Sequence, residues 1–291
     1  MSLSQLRADL YYAAPIPTGH NLPDGSVGLW QPTVVTLISG ASEAVLVDTL
    51  HTIDQGVALA NWIEETLEPH KKLTKIYITH GHGDHFFNIP YLLERFPAVE
   101  VLSTQKVIDH MKTQGEPDLR AFWEGMFPNQ IANSSYQAQA KPLGTDNTFT
   151  LEGHVLQAVE VGHSDTDDTT FLHMPALDLV VAGDVVYNDV HMWMTKSPQQ
   201  SQRNEWIQAL DELKALEPAI VVASHHRPGG IDGAFNIDAS REYVETFSKI
   251  AAQSKNSRDF YDKMLLAFPS RIGKLALWLS CQAYFPSDSG A

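Results

Sequence analysis

A single cysteine, Cys281, in 291 residues excludes an intrachain disulfide. That scarcity suits a reducing compartment. It also leaves any metal to be held by His and carboxylate, with a thiolate ligand improbable. Basic residues are few: 20 Lys and Arg stand against 35 Asp and Glu, for a formal net charge of -15 at pH 7. They are scattered with no basic stripe, so DNA or RNA would be repelled over most of the surface and nucleic acid is not an expected partner. No apolar run approaches the roughly 20 residues of a membrane span, so no membrane association is expected. The opening residues, MSLSQLRADLYYAAPIP, lack the basic start and continuous apolar core of a signal peptide. Together these features predict a cytoplasmic protein. There is no Pro/Gly-rich linker, low-complexity tract or short repeat, and the length allows a sizeable core.

The apolar patterning points to an α/β fold. TVVTLIS (33–39) and EAVLVDT (43–49), β-branched runs joined through Gly40, predict a hairpin. GVALANWIEETLEP (56–69) has helical spacing and stops at Pro69. KIYIT (75–79) reads as a buried strand, IPYLLERF (89–96) as a helix and VEVLST (99–104) as a strand, the order of an α/β layer. Residues 105–146 predict two short helices and a loop. Trp123, Met126 and Phe127 there either pack the core or cover a pocket. Strands return at 148–152, 154–161, 169–174 and 178–184. A helix at about 201–216 precedes the strand AIVVAS (219–224), and the chain from about 236 reads as helical. Strands, helix, strand thus recurs in both halves, as in two similar layers set face to face. LALWLSCQAYF (275–285) is apolar enough for core, or for the contact of a possible homodimer.

YITHGHGDHFFN (77–88) packs His80, His82, Asp84 and His85 into six positions between a strand and a helix. Functional residues gather at such strand ends. Gly81 and Gly83 let the backbone turn tightly and crowd its side chains. His80 and His82 then point to one metal, and Asp84 and His85 towards a second. This is not the HExxH spacing of a helix-borne zinc site. A metal site needs about three protein ligands plus open positions, so the rest of the chain must supply more. His163 in VEVGHSDTDDT, Asp184 in LVVAGDVVY and His225 in IVVASHHRPGG each follow an apolar run at a turn. A lone His after a strand is ordinarily a surface or satisfied core residue, and a lone Asp before a helix is ordinarily a cap. Four such residues in one loop and three more at strand ends are jointly hard to explain that way.

THGHGDH resembles the HxHxDH signature of the metallo-β-lactamase fold hydrolases, and the likeness runs in family order from about 30 to 230. It implies a four-layer αββα sandwich of that type over residues 1–235, with 236–291 a helical C-terminal extension packed on the same domain. It also implies two divalent metal ions. His80, His82 and His163 would hold the first, Asp84, His85 and His225 the second, and Asp184 would bridge both. Asp48 in VLVDT matches the early aspartate that supports the metal loop. His plus carboxylate suits zinc, and manganese or iron can occupy similar sites. Aspartate at 184 looks like the glyoxalase II and lactonase branches. Two departures stand out. The family often has Gly-His-Gly at the last ligand, where this chain has Ser224-His225-His226; either histidine fits, and register from VVAS favours His225. The segment after His163 often carries Gly-His; here Asp165, Asp167 and Asp168 either shape the metal surroundings or form a solvated acidic loop, the simpler reading.

The implied chemistry is hydrolysis by a metal-bridging hydroxide. Two cations about 3.5–4 Å apart share a water and bring its pKa towards neutrality. That hydroxide would attack a carbonyl carbon, one metal would polarise the carbonyl oxygen, and Asp84 or Asp184 would accept and relay the proton. Tyr187 lies three residues after Asp184, where lactonases of the family have a tyrosine. It is either a donor to the oxyanion or a packed core residue. His191, Met192, Trp193 and Met194 either line an apolar pocket or pack an irregular segment. His226 and Arg227, beside a ligand, are candidates to contact a polar substrate group. His20, His51, His70, His110, His154 and His173 read as structural or surface residues. Pocket shape depends on how 105–146 and the tail fold over the metals. The expected substrate is a small cyclic amide or ester, a lactam or lactone. A thioester of the glyoxalase II type is the alternative, with thin support because Lys249, Lys255, Arg258 and Lys263 are interspersed with acids. A phosphodiester ranks below it. A non-hydrolytic diiron redox protein is the reading from another class; Gly83, not glutamate, follows His82 here.

Overall fold

The computed structural model describes residues 6–286. Thr33–Ser39 and Glu43–Val47 form the expected antiparallel hairpin. Lys72–Tyr77 and Glu100–Ser103 then join in parallel, each after a helix, Ile53–Thr66 and Ile89–Arg95. The first of these helices is fixed at its start by a Thr52–Gln55 capping box. Lys141–Pro142 closes that edge, while His225–His226 and then Tyr187–Asn188 extend the other. A second sheet runs in the order Ile220–Val222, Leu179–Val181, Thr169–Met174, His154–Gly162, Thr148–Leu151.

Alternation along the strands builds the layers, because successive side chains leave opposite faces of a sheet. Val34, Ile38, Val45 and Val47 meet Leu156, Leu172, Val181 and Val222 between the sheets. The alternate residues Val35, Leu37, Ala44 and Leu46 pack outward on Leu59, Ile63 and Leu92 of the flanking helices. On the far side, Phe171, Val180 and Val221 pack on Trp206 and Leu210 of Gln200–Lys214. The result is helix, sheet, sheet, helix, the αββα sandwich. The tail folds as Phe235–Ala251, Ser257–Ala267 and Lys274–Tyr284, and its Val244, Phe247, Phe260, Leu277 and Cys281 belong to that outer core.

Ile38 is fully buried between the sheets. Ile38→Ala is expected to lower stability by about 2–5 kcal/mol through lost transfer energy and a cavity, read as a lower urea midpoint at unchanged slope.

The apolar pattern marks no strand before residue 33, yet Arg7–Ala13 pairs antiparallel with Thr33–Ser39, and Ile16–Asn21 with Val27–Trp30. These strands are largely half-buried or exposed, so they do not need the continuous apolar runs that betray the central strands. The strand expected at 178–184 ends at Val181. Gly183 then turns the chain with φ of 55°, at a point where a Cβ would meet Thr79 Oγ1 at 3.0 Å.

Candidate metal centre

The histidine-rich segment leaves Lys72–Tyr77 at its C-terminal end and winds at once into one helical turn, Gly83–Phe86. His80 and His82 therefore sit before the turn, and Asp84 and His85 on it. Both glycines are required by close approach. A Cβ at Gly81 would lie 2.7 Å from His110 Cγ, and one at Gly83 would lie 2.5 Å from the Phe87 ring. Asp184 arrives beyond the Gly183 turn, His225 beyond Ile220–Val222, and Asp165 from the loop between His154–Gly162 and Thr169–Met174.

Three overlapping groups bring their donor atoms within 4.8 Å of one another: His80, His82 and Asp165; His80, His85 and Asp184; and Asp84, His85 and His225. His82 Nδ1 is 2.7 Å from Asp165 Oδ2, and His80 Nε2 is 3.5 Å from the same oxygen. His85 Nε2 lies 3.5 Å from Asp184 Oδ1 and 3.6 Å from Asp84 Oδ2. His225 Nε2 is 3.3 Å from both Asp84 Oδ2 and Asp184 Oδ2.

The outer hydrogen bonds aim these rings. His85 Nδ1 donates to Asp48 Oδ2 at 2.9 Å, and His225 Nδ1 to the Pro32 carbonyl at 3.1 Å. Thr79 Oγ1 donates to Asp48 at 2.8 Å, which leaves its oxygen to accept from His80 Nδ1 at 3.0 Å. Each Nδ1 is thereby a donor, and each Nε2, the atom a cation would take up in place of a proton, is turned inward. Four buried atoms here, His80 Nε2, His85 Nε2, Asp165 Oδ2 and Asp184 Oδ1, lack an aligned hydrogen-bond partner. Polar atoms at such depth normally have one. Converging imidazole and carboxylate lone pairs fit divalent first-row metal ions.

Burial is the largest influence on His80, His85, His225, Asp84, Asp165 and Asp184. It pushes His85 and His225 towards neutrality, but Asp84 and Asp184, with Asp48 also acting on His85, outweigh it and hold these pKa values up at about 9 and about 10. His80 is pushed down to about 4, because burial and His85 prevail over Asp165 and Asp184. Burial also raises Asp84, Asp165 and Asp184, yet neighbouring imidazoles hold all three below the usual carboxylate range. A divalent cation that displaced the protons of His85 and His225 would face these three carboxylates under little solvent.

Six of the seven ligands expected from sequence come together; His163 does not. Its Nδ1 is 2.6 Å from Asp167 Oδ1 and its Nε2 2.9 Å from Ser197 Oγ, so both ring nitrogens are engaged away from the clusters. Asp165, in the acidic run read more simply as a solvated loop, is fully buried in its place. The only sequence signal for it was its position two residues after His163, masked by the neighbouring Asp167 and Asp168. His226 Nε2 lies 3.0 Å from Asp232 Oδ1, leaving His225 as the residue in the cluster. Tyr187 is fully buried, its hydroxyl donating to Asp184 Oδ2 at 2.6 Å.

The clusters open on a cavity of about 590 Å³ that His82, Asp84, Asp184 and His225 line. Trp30, Phe122, Trp123 and Trp193 form an aromatic wall, with ring centroids of Trp30 5.5 Å from Trp123 and 5.4 Å from Trp193. Trp193 thus faces the cavity, while Met192 and Met194 are core. Of the Trp123, Met126 and Phe127 group, Trp123 lines the cavity and the other two pack beneath it. Trp30 had no sequence signal; its Nε1 donates to Asp84 Oδ2 at 3.3 Å. His110, set aside as an ordinary residue, also lines the cavity, and Leu279 and Gln282 of the tail close another side. Among the described residues no helix is long and apolar enough to cross a membrane.

No curated protein matches this sequence. Among solved structures, a metallo-beta-lactamase family protein from Thermus thermophilus is similar, at 18% identity and TM-score 0.61, over 96% of this chain and 93% of that one. The DIM-1 metallo-beta-lactamase is similar at 15% identity and TM-score 0.59, over 84% of this chain and 99% of that one. A metallo-beta-lactamase from Pontibacter korlensis is similar at 18% identity and TM-score 0.53, over 83% and 99%. At these identities the likeness concerns the fold. The family model of the metallo-beta-lactamase superfamily matches residues 28–225, from the strand that carries Trp30 to the last histidine of the cluster. With that match spanning well over half of the sequence, the chain belongs to the metallo-beta-lactamase superfamily.

Proposed function

We propose that this metal-dependent hydrolase opens a small cyclic amide or ester, a lactam or lactone, bearing a flat apolar substituent. The observation that carries the reading is the His and Asp centre at the base of a cavity of about 590 Å³ with Trp30, Phe122, Trp123 and Trp193 on its wall. That volume suits a drug-sized molecule, and aromatic walls suit a planar one. Lys196 is the sole Lys or Arg lining it among the described residues, which favours a neutral or singly charged substrate over a multiply charged glutathione conjugate. The acidic surface likewise favours a small molecule in the cytoplasm over nucleic acid.

Two divalent ions, zinc foremost, would be held by the His and Asp groups and would supply an acidified water and a Lewis acid for the carbonyl oxygen. Asp84 and Asp184 both line the cavity and can take up the proton that a hydrolytic attack releases. Trp30 Nε1 steadies Asp84, and the Tyr187 hydroxyl steadies Asp184. Tyr187 is therefore a positioning residue in this account, packed in the core with its hydroxyl on Asp184, and not the oxyanion donor that was the other of its two readings from sequence. Tyr187→Phe is expected to lower kcat roughly tenfold, from a charge-assisted bond of about 1.5 kcal/mol, with KM little changed. An oxyanion donor would cost on the order of a hundredfold or more.

A hydrolysis panel tests the substrate class. A lactone, an aryl lactam, a glutathione thioester and a phosphodiester would each be offered with and without chelator. Chelator-sensitive turnover of the lactone or lactam is expected and selects between them. Turnover of the thioester alone moves the assignment to the glyoxalase II type. No turnover with iron bound revives the redox reading.

A further inference from the structure

We infer that Asp165, not His163, is the third protein ligand of the first metal position, so that this ion is held by His80, His82 and one carboxylate. The inference deepens the proposed function and rests on its dinuclear centre.

Asp165 is fully buried, with Oδ2 2.7 Å from His82 Nδ1 and 3.5 Å from His80 Nε2. No hydrogen is aligned between that oxygen and either ring. A carboxylate oxygen and two imidazole nitrogens converging without a proton in line are three donors suited to one cation. The other carboxylate oxygen, Oδ1, accepts from Ser164 Oγ at 2.9 Å, which fixes the rotamer.

His163 has the opposite character. The register between His154–Gly162 and Thr169–Met174 shifts between Glu160 and Gly162, and Gly162 has φ of 75°. Such a bulge re-aims the side chains that follow it. The ring then lies between Asp167 Oδ1 and Ser197 Oγ, and Ser197 Oγ donates onward to the Ser164 carbonyl at 2.9 Å. Asp167, His163 and Ser197 lie in the order of a charge-relay triad, but Ser197 is fully buried and its hydroxyl proton is committed to that carbonyl, so it is no nucleophile. His163 instead braces the loop that presents Asp165.

With this assignment the donors are His80, His82, His85 and His225 with Asp84, Asp165 and Asp184. Three carboxylates face two divalent ions, where the His163 assignment has two. An oxygen-richer set with two histidines and one carboxylate at the first position suits manganese or iron(II) better than three histidines do.

The test uses the full chain, stripped of metal and reloaded with Zn(II) or Co(II). Metal content is counted by mass spectrometry, and the Co(II) visible bands report the ligands. Wild type is expected to hold two equivalents. Asp165→Ala is expected to hold one, with altered Co(II) bands, and Asp165→Asn, which keeps the shape and loses the charge, to weaken the same equivalent at least tenfold. His163→Ala is expected to keep two equivalents and the wild-type Co(II) band pattern, with the first equivalent held only a few-fold more weakly because its loop is less braced. Loss of an equivalent by His163→Ala, whether alone or alongside Asp165→Ala, overturns the inference, as does full retention by both Asp165 variants. A wild-type chain that holds fewer than two equivalents overturns the dinuclear reading beneath it.

Discussion

Asp184→Ala is expected to reduce hydrolysis on the order of a thousandfold while the chain remains folded. Asp184 Oδ1 faces His85 and Oδ2 faces His225, both at the second position. It forms a candidate metal group with His80 and His85, and it also lines the cavity. On the proposed reading, removing it takes away both a metal ligand and a proton acceptor beside the substrate. Metal-assisted charge stabilisation is worth several kcal/mol, and each 1.36 kcal/mol is about a tenfold rate change. Asp184→Asn separates shape from charge. It keeps the side-chain size and an oxygen for the Tyr187 hydroxyl, and its rate should be nearly as low. The check is kcat at saturating metal, with circular dichroism to confirm folding. A rate within tenfold of wild type for either variant would contradict the role.

Asp48→Ala carries the second large effect, and here it falls on stability and metal affinity together. Asp48 touches no substrate-facing surface. Almost fully buried, it accepts from Thr79 N at 2.9 Å, Thr79 Oγ1 at 2.8 Å, His85 Nδ1 at 2.9 Å and Ser224 Oγ at 3.4 Å. One carboxylate thus joins the end of its own strand to the histidine loop and to the segment that carries His225. Alanine would leave the Thr79 amide and the His85 ring buried without their acceptor, and breaking a buried charged pair costs about 3–5 kcal/mol. The backbone adds to this: Asp48 has φ of 65°, a left-handed conformation that Asp and Asn tolerate and alanine resists. Without the bond that fixes the His85 ring, metal affinity should fall about 10–100-fold. Urea unfolding of the metal-free chain and zinc titration read the two effects separately. Asp48→Asn, which keeps an acceptor and the backbone preference, should be intermediate in both. A stability loss below about 1 kcal/mol for the alanine variant would contradict this account.

Much of this centre was legible because the sequence concentrates it. Four potential ligands in six positions, separated by two glycines, have no economical structural explanation, and Asp184 and His225 each follow a strongly apolar strand. The central strands were legible for the same reason, since burial on both faces demands unbroken apolar runs. The early strands were not, because half-exposed elements impose no such demand. The exchange of His163 for Asp165 depends on a bulge and a glycine at positive φ, local backbone events that residue identity two positions apart does not reveal. Trp30 is a further case. Its chemistry comes from a hairpin folded back 54 residues along the chain from Asp84, a tertiary contact with no local pattern.

The most direct test of the account is a titration of metal-stripped protein with Zn(II), following hydrolysis of whichever lactone or aryl lactam the panel selects. Turnover should be absent without metal, rise to a plateau at two equivalents and vanish again on adding chelator. Turnover that persists in the stripped protein, or that stays absent with two equivalents bound across the panel, would contradict a dinuclear lactam or lactone hydrolase.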